Sequence, residues 1–305
     1  SGGLVRCYKR GYAKNLVKLD YKSLYPSIQL SENVFPHFDI TGVLKKLLIY
    51  FKTTRELYKN LSENINLSKE DLDLLKIIDN DVYYRYIDGN LTENDYSMFK
   101  TKQLPIKILN NSLFGGLGSG KYFNWSDNNC AAKITCVGRL FLRKAIHYFN
   151  SFGCVPLLAV TDGINFQIPE KTNIYFNNNE VRHLSEYISL NEAWNYNDKK
   201  GIMALIEKYN VEELGKTDLR IEFDGEYVSC FNLSRINYAL LYLTEDKKTK
   251  KVKEKIKLVG NTIKSKVMPE YIEEFIDNGL KLILHDKGKE FVEYYYENSF
   301  EKNSQ

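Results

Sequence analysis

The alternation of apolar and polar positions divides the first half of the chain into one strand and several helices. Leu16 to Asp20 reads as a strand that ends in an acid, after which Pro26 imposes a turn or a helix start. Leu47, Leu48, Phe51 and Leu57 recur at helical spacing and predict an amphipathic helix from about Val43 to Ser62. Residues 63–94 are polar and acidic, a pattern that fits short helices and loops. A second helical run covers about Ser97 to Phe114. Gly115-Gly116 reads as its stop, and Pro105 inside it implies a late start or a kink. A third helix is predicted over Ile134 to Phe149.

The second half reads mostly as strand. Val155 to Val160 and Ile164 to Ile168 are apolar runs flanking Thr161-Asp162-Gly163, a strong short-range hairpin signal. Residues 173–209 are polar and helical in parts. Leu219 to Phe223 and Tyr227 to Leu243 read as further strands, clearest over Asn237 to Tyr242. Lys247 to Lys257 is the densest positive stretch in the chain, and 271–278 and 288–296 then predict amphipathic helices. A domain boundary is placed near Leu243. There is no repeat at a solenoid period and no long linker.

Composition narrows the class without choosing a function. The chain has 305 residues, 43% hydrophobic and 27% charged, which is ordinary for a globular protein and excludes a disordered, collagen-like or disulfide-scaffold chain. No run approaches about 18 consecutive apolar residues, so no membrane helix is expected. Neither a secretory h-region nor a transit pattern opens the chain. Five scattered cysteines and four dispersed histidines form no CxxC, HExxH or zinc spacing. Free thiols in a reducing compartment follow as an expectation: cytoplasmic and not secreted. The net charge of +4 permits a polyanionic partner without demanding one. The 23 tyrosines, with abundant Lys, Asn and Ile, fit an AT-rich coding genome as well as any function.

Two acids invite comparison, Asp20 at a strand end and Asp162 at a hairpin tip. A lone turn aspartate most often bonds neighbouring backbone N–H groups, so the surroundings decide. Asp20 is followed by Ser23-Leu24-Tyr25-Pro26-Ser27. Lys107 precedes Asn111-Ser112-Leu113-Phe114-Gly115, and at helical spacing Lys107 and Asn111 point from one face. In this order, with the Asp162 hairpin, these strings resemble the three polymerase signatures of the family B DNA polymerases. Gly2-Gly3 resembles that family's link into its palm, Arg55 and Lys59 its fingers cations, and Ile134-Thr135 with Gly138-Arg139 its IT..GR helix. Asn237-Tyr238-Ala239 resembles its KxYA strand, and Lys257 to Lys264 the segment that opens its thumb. The resemblance covers nearly the whole chain.

The resemblance implies an α+β right-hand fold with an antiparallel-sheet palm, two-helix fingers and a short helical thumb. It places the palm at 1–42 and 117–243, the fingers at 43–116 and a partial thumb at 244–305. The implied activity is DNA-directed DNA polymerisation, in which dNTPs extend a primer 3′-end. Phosphoryl transfer of this kind is mainly positioning and charge neutralisation, and two Mg²⁺ ions (or Mn²⁺ in their place) with hard oxygen ligands suit it. By resemblance Asp20, Asp162 and the Tyr21 carbonyl would hold the metal. Ser23 and Leu24 amides would hold the triphosphate, and Tyr25 would stack under the sugar and exclude a 2′-hydroxyl. Arg55, Lys59 and Lys107 would clamp the phosphates, with Asn111 beside them and Lys107 protonating the pyrophosphate. Phe114, Gly115, Arg139, Asn237, Tyr238, Lys257 and Lys264 would contact primer–template DNA.

The departures bear on chemistry. Val160 stands where the family carries its first hairpin acid, Phe114 where it carries Tyr, and Arg235-Ile236-Asn237-Tyr238 where it carries KKxY. Glu222 and Asp224 are either an auxiliary acid or solvated strand surface. The lysine run is either a solvated face or a phosphate-backbone contact. Tyr294 to Tyr296 and Asp81 to Tyr86 read as packing. The resemblance further implies the polymerase part of a split or truncated, viral or phage-like enzyme, with exonuclease and remaining thumb on a separate chain and no membrane partner. The alternative is a catalytically weak polymerase-fold DNA-binding subunit. A nucleotide-binding metabolic enzyme lacks any Walker or Rossmann glycine pattern to support it.

Overall fold

A computed structural model describes residues 2–168, 173–176, 180–183, 201–215, 217–245, 250–260 and 269–300. The chain divides into two compact units, one of residues 23–137 and one of residues 2–22 with 138–305.

The 23–137 unit is helical. It contains α1 (Leu24–Ser31), α2 (Val43–Ser62), α3 (Lys69–Ile78), α4 (Asn80–Ile87), α5 (Glu93–Leu117) and the start of α6 (Asn128–Ser151). The predicted helix forms as α2, but its buried stripe is Leu48, Leu57, Tyr58 and Leu61, whereas Leu47 of the predicted stripe is exposed and Phe51 half-buried. Leu57, Tyr58 and Leu61 of α2 meet Phe99 of α5, Leu75 of α3 and Val82 of α4 in one core cluster, with Tyr58 and Phe99 stacked at 6.1 Å. A capping box starts α5. Thr92 Oγ1 accepts from the Asp95 amide, while the Asp95 carboxylate accepts from Thr92 and from Arg85 Nη1 at 2.7 Å.

α5 begins four residues before Ser97, so Pro105 lies within the helix and does not mark a late start, and against expectation the helix does not stop at Gly115-Gly116. Pro105 forfeits one backbone hydrogen bond, and the helix persists because its buried face is tied into the α2 core. The helix survives the glycines because Gly116 makes room for a neighbour: a Cβ there would lie 2.4 Å from Trp125 Nε1. That glycine serves packing rather than termination.

The second unit is built on a seven-stranded, wholly antiparallel sheet. Its strands are β1 (Leu4–Cys7), β2 (Gly11–Tyr21), β3 (Val155–Thr161), β4 (Gly163–Gln167), and, after a separate two-stranded ribbon of β5 (Asn173–Phe176) and β6 (Glu180–His183), β7 (Ile221–Asn232), β8 (Tyr238–Glu245) and β9 (Val252–Val259). The spatial order is β1-β3-β4-β2-β7-β8-β9. The helices are the rest of α6, α7 (Gly201–Tyr209) with a π-helical turn at Asn210–Leu214, α8 (Glu270–Leu284) and α9 (Gly288–Phe300).

Residues two apart on a strand share a face, which splits the sheet's sides by chemistry. Phe166 of β4 packs on Phe149 of α6, and Phe149 on Tyr209 of α7. On the same side the buried Tyr21 hydroxyl pairs with that of Tyr209 at 2.8 Å and donates to the Phe141 carbonyl. Ala239 and Leu241 of β8 pack there on Leu280 and Leu284 of α8. The opposite side of β2 and β4 carries Leu16, Lys18, Asp20, Gly163 and Asn165.

The expected break between Phe223 and Tyr227 is absent. β7 pairs with β2 throughout, through an irregularity at Lys18/Leu19, so one strand forms; the real interruption is at 233–237. The boundary placed at Leu243 falls inside β8, and β9 extends the same sheet beyond it. Helices α6 and α8 run longer than predicted. Lys247, Lys248 and Lys264 lie outside the described residues.

Hydrogen bonds from the Thr92 backbone and side chain, and then from Arg85, hold the Asp95 carboxyl down at about 2. Because this lies below the unfolded-state value of about 3.9, Asp95 stabilises the fold above pH 4, and that contribution disappears as pH falls towards 2. Asp95→Asn is expected to flatten the pH dependence of thermal unfolding between about pH 4 and 2. An unaltered pH profile would show that the cap carries no such linkage.

Candidate active site

The hydrophobic strand β2 delivers Asp20 to a fixed place. Val17, Leu19 and Tyr21 are buried on one side, so the strand's phase is locked and Asp20 emerges on the side opposite α6 and α7. Across β2, β4 and β3, Asp20 lies opposite Gly163 and Gly163 opposite Val160, which aligns the three positions in one row. Gly163 leaves the middle of that row open, since a Cβ there would sit 2.8 Å from Asp20 Oδ1.

Asp162 occupies the turn between β3 and β4. Thr161 before it has φ +62°, a left-handed conformation that is costly for a β-branched residue. The turn is fastened by the Asp162 amide bonding to the Val160 carbonyl at 2.7 Å, and by the Tyr21 amide bonding to the Asp162 carbonyl at 2.9 Å. The second bond ties the turn to the residue beside Asp20. Together, Asp20 and Asp162 line an open cleft of about 170 Å³ with Lys18, Leu158, Val160, Gly163, Asn165 and Tyr238.

Two polar residues in this cleft escaped the sequence reading. Lys18 lies two positions before Asp20, and its Nζ sits 2.5 Å from Asp224 Oδ2. Burial opposes the Lys18 charge, but the hydrogen bond and charge of Asp224, followed by the charge of Asp20, outweigh it and raise its pKa. Asn165 lies opposite Lys18 in the β2–β4 register, is buried, and its Nδ2 has no hydrogen-bond partner among the described residues. The signal in both cases was a polar residue interrupting an otherwise apolar strand on the face of an acid. Of the two acids weighed on β7, Asp224 binds Lys18, whereas the exposed Glu222 lies opposite Asp20 and 4.0 Å from Lys22.

The donor chemistry suits a hard cation. Two carboxylates share one open cleft, and among the described residues no cluster of three or more His, Cys, Asp or Glu side chains that could hold a metal occurs. Mg²⁺ takes one or two protein carboxylates and fills its remaining positions with water and substrate phosphate.

The helical unit holds the other candidates. Ser23 precedes α1 with φ +48°, and its hydroxyl, instead of capping that helix, accepts from Arg55 Nη1 at 3.0 Å. Leu24 is buried and begins α1. Tyr25 stacks on Phe114 at 4.3 Å, so the Phe found in place of Tyr is the packing partner of that ring. Arg55 and Lys59 are one turn apart on α2 and half-buried. Lys107 and Asn111 are one turn apart on α5 and exposed, as is Gly115.

Among the expected DNA contacts, Arg139 donates to the Gly2 carbonyl at 2.7 Å, joining α6 to the Gly-Gly segment. Asn237 closes the turn before β8, its Nδ2 bonding Ser234 Oγ. Gly260 faces it: at φ +103° a Cβ would clash with Asn237 Oδ1 and the Ile236 carbonyl. Tyr238 lines the carboxylate cleft, and Lys257 is exposed on β9 opposite Leu240.

The family model for DNA polymerase family B matches residues 1–304. The chain belongs to this family. It is 24% identical over 280 residues to a DNA polymerase of Thermococcus gorgonarius, covering 92% of this chain and 32% of that one. It is 28% identical over 245 residues to a DNA polymerase of Pyrococcus glycovorans, covering 79% of this chain and 28% of that one. The structure of the family B DNA polymerase from the archaeon Pyrobaculum calidifontis aligns with a TM-score of 0.60 at 18% identity, over 97% of this chain and 34% of that one. The family B chain described here thus spans about a third or less of these relatives' length.

Because Gly163 is where β4 approaches Asp20, Gly163→Ala should displace that carboxylate while leaving the sheet intact. Any primer extension by this chain should then fall roughly 100-fold, with little change in melting temperature. Extension within about twofold of the parent would mean the Asp20 position is not critical to the chemistry.

Proposed function

We propose that this chain is the DNA-directed polymerising part of a family B enzyme, extending a primer 3′-end with dNTPs on a DNA template. The observation that carries the reading is the convergence of Asp20 and Asp162 from neighbouring strands into one open cleft, in a chain of this family. The seven-stranded sheet is read as palm, the α2–α5 helices as fingers and α8–α9 as thumb, with Mg²⁺ as the ion.

Two ions bound there would activate the primer hydroxyl and neutralise the leaving pyrophosphate. Asp20, Asp162 and the Tyr21 carbonyl would hold those ions in place. Arg55 reads a phosphate with its planar fork, and Lys59 and Lys107 act as point charges on the same triphosphate, Lys107 also giving its proton to the leaving group. Ser23 and Leu24 amides and Asn111 position the phosphates. Tyr25, braced by Phe114, fills the space a 2′-hydroxyl would need. Phe114, Gly115, Arg139, Asn237, Tyr238 and Lys257 are proposed to line the duplex path, as is Lys264.

Two observations favour the second reading, a DNA-binding subunit with weak catalysis: the row that begins with Asp20 ends in Val160, and a lysine stands in the cleft.

The deciding experiment is primer extension by Asp162→Asn. The proposal expects folding and primer–template binding to persist while Mg²⁺-dependent extension is lost; extension at the parent rate would refute the site assignment. A parent chain that binds primer–template but never extends it would favour the second reading.

The exposed lysines 253, 255 and 257 alternate along β9 opposite Thr244, Tyr242 and Leu240, so all three share the sheet side that carries Tyr238. Replacing the three by Ala should weaken primer–template binding. The log–log salt dependence of binding should become shallower by roughly 0.9 for each phosphate that is no longer neutralised. An unchanged slope would show this stripe to be merely solvated.

A further inference from the structure

We infer that Lys18 is a resident counter-cation of the acidic cleft, a positioning residue that stands in for metal charge when no ion is bound. The inference deepens the proposed function and rests on Asp20 and Asp162 being the ion's ligands.

Two carboxylates facing one cleft repel each other unless positive charge is near. Among the residues lining this cleft, Lys18 is the cation. Its stem and the Asp20 carboxylate flank the same point, 3.4 Å for Lys18 Cε and 2.8 Å for Asp20 Oδ1 from where a Gly163 Cβ would stand. Asp224, on the outer side and partly exposed, anchors the ammonium by the ion pair with Nζ. Next to Lys18 the orphaned Asn165 amide adds a second donor, so the cleft floor offers N–H groups to an oxygen-bearing occupant. Position 160, in line with Asp20, adds only a valine side chain.

This arrangement offsets the repulsion between the carboxylates when no metal is present, and it lowers their affinity for a bare divalent ion. The ion is then best bound together with the anionic triphosphate, whose charge outweighs that of Lys18. Asp224 tunes the effect by drawing the ammonium away from Asp20.

The test is Mn²⁺ binding to the intact, nucleotide-free chain, followed by electron paramagnetic resonance, with thermal unfolding alongside. Lys18→Met should tighten Mn²⁺ by roughly tenfold, because a like charge within several ångströms of the ion is removed. Asp224→Asn should weaken it several-fold, and Lys18→Arg, which keeps the charge, should stay near the parent. In chelator Lys18→Met should melt below the parent, and saturating Mn²⁺ should erase the difference. Binding to Lys18→Met that is unchanged, weaker or undetectable would overturn the inference, as would a melting deficit that persists with Mn²⁺. The proposed function fails separately if Asp162→Asn binds Mn²⁺ as the parent does.

Discussion

The antiparallel pairing of β2 with β4 is the constraint on which the candidate site depends. It sets Asp20 against Gly163, and the adjacent Tyr21 amide then bonds the Asp162 carbonyl. Backbone hydrogen bonds, rather than side-chain contacts, thus bring together two acids more than a hundred residues apart. The register is enforced from the other face of the sheet, where Val17, Leu19, Tyr21, Ile164 and Phe166 are buried. A slip of one residue would bury Asp20 and expose Leu19, so the apolar face protects the position of the polar one. Tyr21 reinforces this through the hydroxyl pair with Tyr209, whose pKa burial pushes up to about 12. Both hydroxyls stay neutral at physiological pH.

Left-handed backbone stands beside candidate residues in both units. Thr161 and Ser23 take left-handed conformations next to Asp162 and Leu24 respectively. Such conformations persist only where surrounding structure over-determines them. For Thr161 that support is the β3–β4 ladder and the Tyr21 bond, and for Ser23 it is the Arg55 hydrogen bond. The same economy explains the electrostatics of the sheet side: Lys18 is held by Asp224 on one flank and faces Asp20 on the other.

Much of this was legible in the sequence because it is carried by periodicity and by short strings. The α2 helix, the 155–168 hairpin and the two aspartates are local signals, and the structure has a helix at Val43–Ser62 and a hairpin turning at Asp162. What was not legible depended on partners distant along the chain. Gly115-Gly116 looks like a helix stop until Trp125 is seen against Gly116. The polar Asp224-Gly225 looks like a strand break until its pairing with β2 is known. Lys18 and Asn165 look like incidental polar residues until the register sets them side by side beneath Asp20. Spacing also could not reveal that Arg139 holds the Gly2 carbonyl.

The proposed site requires Asp20 and Asp162 to hold one ion jointly. The most direct measurement is anomalous scattering from Mn²⁺ in crystals of the chain with primer–template and a non-reactive dNTP analogue. A manganese peak within coordination distance of both carboxylates, about 2 Å, is expected. Peaks elsewhere, or a peak held by only one of the two, would contradict it.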